Sequence, residues 1–109
     1  MKAVFFAFKD EEMCFVHLLL NALDLKEKGY ESGIVMEGKA VLLVKDLEEN
    51  PLFRKAREKG LILSICRACS AKLGVLEYNE ACGIPLEGEM SGHVPMEPFL
   101  REGYQVIAL

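Results

Sequence analysis

One short pattern occurs three times in the chain: charged residues, then glycine, then an apolar residue that opens a strand-like segment. It occupies residues 27–30 (Glu-Lys-Gly-Tyr), 58–61 (Glu-Lys-Gly-Leu) and 101–104 (Arg-Glu-Gly-Tyr). Glycine is favoured just after the last turn of a helix because it adopts the left-handed backbone conformation without steric cost. Each copy therefore predicts a helix that leads into a strand. Strands that alternate with helices predict an α/β fold with a mainly parallel sheet.

The remaining patterns predict where the strands and helices lie. Short apolar runs, typical of strands buried on both faces, predict strands over residues 2–8, 31–36, 61–65 and 104–109. Helices are predicted over residues 11–28, 38–49, 51–59, 66–74 and around 95–102. Asp10 and Asn50 are the expected N-caps, with Pro51 at the first helical position. Residues 40–44 also suit a strand by composition, and residues 75–94 are predicted to form a long connection with room for a short element.

Length and charge narrow the class of protein. The 109 residues fit a single domain spanning residues 1–109. Seventeen acidic and thirteen basic side chains give a net charge of −4, the wrong sign for a protein that binds phosphate backbones. No uncharged run reaches the ~20 residues of a membrane span, and the apolar N-terminal run is too short for a signal peptide. We therefore expect a cytoplasmic protein with no nucleic-acid or membrane partner.

Cys66 and Cys69 are the strongest candidates for chemistry among the four cysteines. Cys66 ends a predicted buried strand and begins a helix, where backbone N–H groups and the helix dipole are expected to lower the pKa of a thiol. Cys69 is one helical turn further along, within reach of Cys66, and Arg67 adds positive charge. Two thiols in this arrangement can act as nucleophile and resolving thiol, or as two metal ligands. The structural alternative is a pair of small buried side chains.

Glu37 and His93 are the candidate supporting residues. Glu37 follows the second predicted strand, and His93 lies in the long connection before the last helix. Since parallel strands gather their carboxyl ends at one edge of the sheet, Glu37, Cys66 and His93 are predicted to share a crevice. There His93 would exchange a proton near neutral pH, and Glu37 would orient a ligand or partner. The alternatives are a solvated Glu37 and a His93 that only braces its loop.

No metal or cofactor is predicted. A zinc site built on Cys66 and Cys69 would need two further ligands. Cys82 and His93 are the candidates, but their spacing matches no common zinc finger or ribbon. The chain also lacks the glycine-rich loops that bind nucleotide phosphates.

The chain resembles the DsrE-like family, which includes sulfur-relay proteins. The likeness covers nearly the whole length and is carried by the first strand, Glu37 with Gly38, the segment from Cys66 to Gly74, and Met90-Ser91-Gly92-His93. It implies a three-layer, flavodoxin-like (Rossmann-like) fold and assembly into trimers or hexamers. In sulfur-relay members a cysteine eight residues before a glycine carries the persulfide, and Cys66 has that spacing from Gly74. Other members place a second cysteine where Cys69 stands, so either thiol is a candidate acceptor.

Three functions are consistent with these residues. The first is a sulfur carrier that takes sulfane sulfur on Cys66 or Cys69 from a donor protein and passes it to an acceptor. The second is a non-catalytic, oligomeric module that binds a small ligand in the predicted crevice. The third is a thiol–disulfide redox protein that uses the same two cysteines. A homo-oligomer is predicted independently, because the first helix is apolar over a wider arc than one sheet face covers.

Overall fold

The protein folds around one parallel β-sheet, described by a computed structural model that covers residues 1–109. Its strands are β1 Lys2–Ala7, β2 Glu31–Met36, β3 Ile62–Cys66, β4 Leu86–Glu87 and β5 Gln105–Ala108. The strand order is β4-β3-β2-β1-β5, and every neighbouring pair is parallel. The prediction of an α/β fold with a mainly parallel sheet is confirmed.

Six α-helices connect the strands. They are α1 Glu12–Glu27, α2 Leu43–Asp46, α3 Pro51–Glu58, α4 Arg67–Lys72, α5 Leu76–Ala81 and α6 Glu97–Arg101, and a 3-10 helix, Gly38–Leu42, precedes α2. The helix predicted over residues 38–49 is therefore present in two short pieces. No helix combines the length and the apolar character that a membrane crossing requires.

Helices cover both faces of the sheet, as the alternation of side chains along β1 shows. Phe5 lines a cavity with Phe15 of α1, and the Phe15 ring lies 6.2 Å from the Phe53 ring of α3. Phe6 points the other way and packs edge-on against Phe99 of α6, with 5.7 Å between ring centroids. Adjacent residues of a strand point to opposite faces, so α1 and α3 cover one face and α6 the other. The three-layer, flavodoxin-like arrangement is confirmed.

The two predicted N-caps had different outcomes. The Asn50 side chain accepts hydrogen bonds from the N–H groups of Leu52 (2.9 Å) and Phe53 (3.2 Å), which confirms that cap. The Asp10 cap is wrong, because α1 begins at Glu12 and its N-cap residue, Glu11, makes no side-chain capping bond. Before the helix, the Phe8 carbonyl accepts the N–H of Lys39 at 3.0 Å, so the chain stays at the sheet edge beyond β1.

The connection predicted over residues 75–94 contains more structure than its sequence pattern indicated. It includes α5 and the short edge strand β4. Asn79 of α5 is buried and donates through Nδ2 to the Val41 carbonyl (3.2 Å) and to Ser70 Oγ (3.0 Å). β4 pairs Glu87 with Cys66 at the end of β3. This pairing brings the following loop alongside the first of the two candidate thiols.

Candidate functional site

Four side chains that carry thiol, imidazole and carboxylate groups meet at the carboxyl ends of β2 and β3. Glu37 directly follows β2, Cys66 is the last residue of β3, and Cys69 lies in the first turn of α4. His93 comes from the loop between β4 and α6. Each side chain offers one sulfur, nitrogen or oxygen atom, and these four atoms all lie within 4.8 Å of one another. We call these four residues the thiol cluster.

The His93 imidazole is at the centre of the thiol cluster. Its Nδ1 atom lies 3.2 Å from Cys66 Sγ and 3.6 Å from Cys69 Sγ. The same atom is 3.6 Å from Glu37 Oε1, and Cys69 Sγ is 3.7 Å from that oxygen. The predicted proximity of Glu37, Cys66 and His93 is therefore confirmed by direct contacts.

Cys66 is the least accessible of the four cluster residues. Its relative exposure is 0%, and its sulfur caps α4 by accepting the Cys69 N–H at 3.4 Å. Burial raises the pKa of the Cys66 thiol to about 12, and the cap hydrogen bond from Cys69, which favours the thiolate, only partly offsets it. The prediction of a lowered pKa at this helix start is therefore wrong. The cost of removing a thiolate from water outweighs the stabilisation that the few N–H groups of a six-residue helix give it.

Cys69 has the more accessible thiol. Its side chain is partly exposed, and its sulfur donates to Glu37 Oε1. A reagent arriving from solvent therefore meets Cys69 before it meets Cys66. The difference in burial between the two residues therefore favours Cys69 over Cys66 as the thiol that reacts first.

Glu37 is a buried carboxylate that links β2 to the loop of His93. Only 5% of the residue is exposed, and its Oε2 atom accepts the N–H of Val94 at 2.9 Å. Its other oxygen faces the thiol cluster. Gly38 makes this position possible, because it has φ +50° and an added Cβ would lie 2.7 Å from the Phe8 carbonyl oxygen. Glu37 is therefore built into the fold and is not the solvated residue of the alternative interpretation.

The backbone of the loop that ends at His93 completes the site. The Gly92 carbonyl accepts the N–H of Ala68 at 2.8 Å and lies 3.6 Å from Cys66 Sγ. A Cβ at Gly92 would lie 2.8 Å from the Ala68 side chain. The sequence analysis did not assign a role to Gly92. A glycine directly before a candidate site residue such as His93 is nevertheless typical of a place where the backbone approaches another chain segment closely.

A cavity of about 440 Å³ opens beside Glu37 and His93. The rest of its lining is mainly apolar and consists of Phe6, Phe8, Met90, Val94, Pro95, Met96 and the side chain of Glu97. Such a mixture, with apolar walls and a few convergent polar groups, is typical of small-molecule sites.

Arg67 is not part of the thiol cluster, which corrects its predicted supporting role. Its guanidinium pairs with Glu80 at 3.3 Å, and both side chains are about half exposed. The helical position after Cys66 turns this side chain toward α5, away from Glu37 and His93. Arg67 therefore contributes to the surface of the protein rather than to the chemistry of the site.

The other cysteines and the second histidine lie elsewhere. Lys9, Cys14 and His17 line a separate cavity beside Leu109, on the β5 side of the sheet. The Cys82 sulfur accepts the N–H of Ile84 at 3.5 Å and has no contact with the thiol cluster. The strand order reverses between β1 and β5, whereas the thiol cluster lies at β2 and β3. The crevice is thus at the predicted sheet edge but away from the switch point where such sites are expected.

The fold and the thiol cluster together define an α/β protein with paired cysteines at the carboxyl edge of a parallel sheet. No protein-family model matches the chain. It is 41% identical over 99 residues to the uncharacterized protein MJ0733 of Methanocaldococcus jannaschii, a match that covers 86% of this chain and 78% of that protein. The chain belongs to the same family as MJ0733.

Two further comparisons place the chain among proteins of similar sequence or fold. An uncharacterized protein of Archaeoglobus fulgidus is 37% identical over 54 residues, which is 50% of this chain and 88% of that protein. The structure of BT1422, a conserved protein of unknown function from Bacteroides thetaiotaomicron, matches with a TM-score of 0.77 and 20% identity. That match covers 99% of this chain and 95% of the other. At this identity it shows a shared fold.

Proposed function

We propose that the protein is a sulfur carrier that accepts sulfane sulfur as a persulfide on Cys69, with Cys66 as the second thiol. The observation that carries the proposal is the setting of the Cys69 sulfur. Cys69 is a partly exposed residue, and its sulfur lies 3.7 Å from Glu37 Oε1 and 3.6 Å from His93 Nδ1, beside a second, buried thiol. The resemblance of the segment from Cys66 to Gly74 to DsrE-like sulfur-relay proteins supports the same function.

The proposed loading reaction balances without an oxidant. The Cys69 thiol gives its proton to His93 or Glu37, and the resulting thiolate attacks the outer sulfur of a donor persulfide. A new S–S bond forms on Cys69, the S–S bond of the donor breaks, and the donor leaves as a thiolate. Transfer to an acceptor repeats this exchange, with the acceptor thiolate attacking the outer sulfur held on Cys69.

The cavity beside Glu37 and His93 gives the organic part of a donor or acceptor a place to bind. Its walls are largely apolar, and Phe8 and Met90 are at least partly exposed. A donor side chain that packs there would bring its sulfur close to the groups that take the Cys69 proton. The same cavity supports the alternative of a small-ligand-binding module.

Mass spectrometry tests the sulfur-carrier proposal. The reduced, chelator-treated protein is incubated with glutathione persulfide and its intact mass is measured. We expect one adduct of about 32 Da for each chain, the mass of one sulfur atom. The adduct should be lost in Cys69→Ser and retained in Cys14→Ser, a control in which an exposed thiol outside the thiol cluster is removed. An adduct that persists in Cys69→Ser, or no adduct in the unmodified protein, would contradict the proposal.

A thiol–disulfide function is the second candidate, and the separation of the two sulfurs favours it. Cys66 Sγ and Cys69 Sγ lie within 4.8 Å of each other, so a modest side-chain rotation would bring them to bonding distance. A mild disulfide oxidant is then expected to remove about 2 Da and to link these two residues within one chain. Redox titration with a thiol buffer distinguishes the candidates, since a redox protein cycles through this disulfide without a sulfur adduct.

A further inference from the structure

The four donor atoms of the thiol cluster are spaced like the corners of a tetrahedron. Four of their six separations are 3.2, 3.6, 3.6 and 3.7 Å, and the other two do not exceed 4.8 Å. Metal–sulfur bonds of about 2.3 Å and metal–nitrogen or metal–oxygen bonds of about 2.0–2.2 Å give tetrahedral edges of about 3.3–3.8 Å. The side chains therefore need only small movements to surround one ion.

We propose that Cys66, Cys69, His93 and Glu37 bind a divalent transition-metal ion of the Zn²⁺ type. The ligand atoms would be the two sulfurs, His93 Nδ1 and Glu37 Oε1. Thiolate and imidazole ligands favour zinc-like ions over Mg²⁺ and Ca²⁺, which prefer oxygen ligands. This inference goes beyond the proposed function, because it requires no sulfur transfer.

The buried carboxylate is an independent indication that a cation belongs at this position. His93 is the only basic side chain in salt-bridge range of Glu37, and Glu37 itself is almost completely buried. Its Oε1 atom faces two thiols and an imidazole, with no backbone N–H donor to that oxygen. The S–H group of Cys69 is only a weak hydrogen-bond donor, so a metal ion in contact with Oε1 would be a much stronger partner for this buried oxygen.

The charges and the surrounding hydrogen bonds also fit a bound ion. Two thiols would release two protons on binding, so that two thiolates and one carboxylate surround the divalent cation. Val94 N–H fixes Glu37 through its other oxygen, and Cys69 N–H fixes the Cys66 sulfur. Hydrogen bonds of this kind orient metal ligands. The His93 side chain is 44% exposed, which gives the ion a route from solvent.

Cobalt titration tests the metal site directly. Reduced, metal-free protein is titrated with Co²⁺ and the visible and near-ultraviolet absorption is recorded. We expect one Co²⁺ per chain, with the intense ligand-field bands of tetrahedral cobalt and a thiolate-to-cobalt charge-transfer band that Zn²⁺ abolishes by displacement. Weak octahedral bands without charge transfer, or binding in excess of one ion with no break in the titration, would overturn the proposal.

Matched variants identify the ligands. Cys69→Ser and His93→Gln should each weaken Co²⁺ binding at least about 100-fold, since direct ligands matter more than their hydrogen-bond partners, whose loss typically costs 10–100-fold. Cys14→Ser and His17→Gln remove the same groups outside the thiol cluster and should bind like the unmodified protein. Cys66→Ser keeps a side chain that can cap α4, and circular dichroism checks that each variant is folded. Equal affinity in all variants would contradict the assignment.

The two proposals can fail separately. Metal binding is measured without a sulfur donor, and persulfide loading is measured in the presence of a chelator. If both are correct, stoichiometric Zn²⁺ should prevent the adduct of about 32 Da, because the ion and the persulfide need the same Cys69 sulfur. An adduct that forms equally well on the zinc-loaded protein would show that Cys69 is not a ligand.

Discussion

Glu37 and His93 are far apart in sequence, yet Glu37 Oε1 lies 3.6 Å from His93 Nδ1. The other Glu37 oxygen accepts the N–H of Val94, the residue after His93. One carboxyl group at the end of β2 thus contacts the imidazole and anchors the backbone of the loop that carries it. Glu37 therefore has a structural role in addition to its proposed role as a ligand.

Replacing Glu37 separates these two roles. Glu37→Ala leaves the Val94 N–H buried without an acceptor and is expected to lower the free energy of unfolding by ~1–3 kcal/mol. Glu37→Gln keeps an oxygen for that N–H and should cost less, while still removing the negative charge. Urea denaturation of the metal-free proteins measures both values. Equal stability of the two variants would show that the Val94 hydrogen bond contributes little.

Alkylation rates should follow the burial of the four thiols. With iodoacetamide near neutral pH, we expect Cys66 to react last in the metal-free protein, since its sulfur is fully buried and burial raises its pKa to about 12. Cys14, which is exposed, and Cys69 should react at least about tenfold faster than Cys66. Peptide mapping against time gives the order. In denaturant the four rates should converge, and early labelling of Cys66 in the folded protein would contradict the buried site.

The raised pKa of Cys66 also predicts a loss of stability at alkaline pH. The folded protein holds this proton more tightly than the unfolded chain, in which the pKa is near the ordinary value of 9.0. The stabilisation is therefore complete below pH 9 and is lost progressively as the pH rises from 9 toward about 12. The slope contributed by one group cannot exceed about 1.4 kcal/mol per pH unit.

Thermal unfolding of the metal-free protein between pH 8 and about 11 measures this effect. Lysine and tyrosine side chains titrate in the same range, so Cys66→Ser is the necessary comparison. Cys69, Glu37 and His93, which face the side chain at position 66, are present in both proteins and contribute to both curves. The fall in Tm should be shallower in Cys66→Ser, and parallel curves would rule out the thiol as its source.

Gly92 is expected to accept a side chain poorly. It has φ +93°, and an added Cβ would lie 2.8 Å from the Ala68 Cβ. Gly92→Ala should lower the free energy of unfolding by ~2–4 kcal/mol, the sum of backbone strain and overpacking. Gly74→Ala is the matched control, since Gly74 has φ +77° and open space around it. It should cost only ~1 kcal/mol, the strain alone.

Apolar side chains on α1 predict a homo-oligomer. Met13 and Leu20 are 77% and 47% exposed, and they lie seven residues apart on the same side of the helix. Light scattering of the unmodified protein at about micromolar concentration is expected to give a multiple of the 12.2 kDa chain mass. Leu20→Glu should reduce that mass, whereas Leu20→Met, which keeps the position apolar, should not. A monomer mass for the unmodified protein would contradict this prediction.

The parts of the fold set by local chemistry could be predicted from the sequence. Gly29, Gly60 and Gly103 all have positive φ, as the repeated pattern at the helix ends requires. The proximity of Glu37 to Cys66 follows in turn, since each comes at the end of a strand and neighbouring parallel strands end at one edge.

The parts that depend on tertiary packing could not be predicted. The Gly92 carbonyl lies 3.6 Å from the Cys66 sulfur, and it comes from a loop that carries no periodic pattern. The direction of Arg67 depends on α5, a helix that the sequence did not indicate, because its Glu80 provides the partner. The arrangement of possible metal ligands depends on the same loop, because that loop contributes the His93 imidazole. No sequence spacing connects His93 to the two cysteines.

The position of β5 beside β1 has a consequence for the newly made chain. β1 receives its second neighbour only when residues 105–108 have been synthesised, so the sheet cannot close before then. At a translation speed of ~5–20 residues per second, roughly 2–8 s separate the synthesis of Cys69 from that of β5. His93 is also made before β5, so all four residues of the thiol cluster precede the strand that completes the sheet.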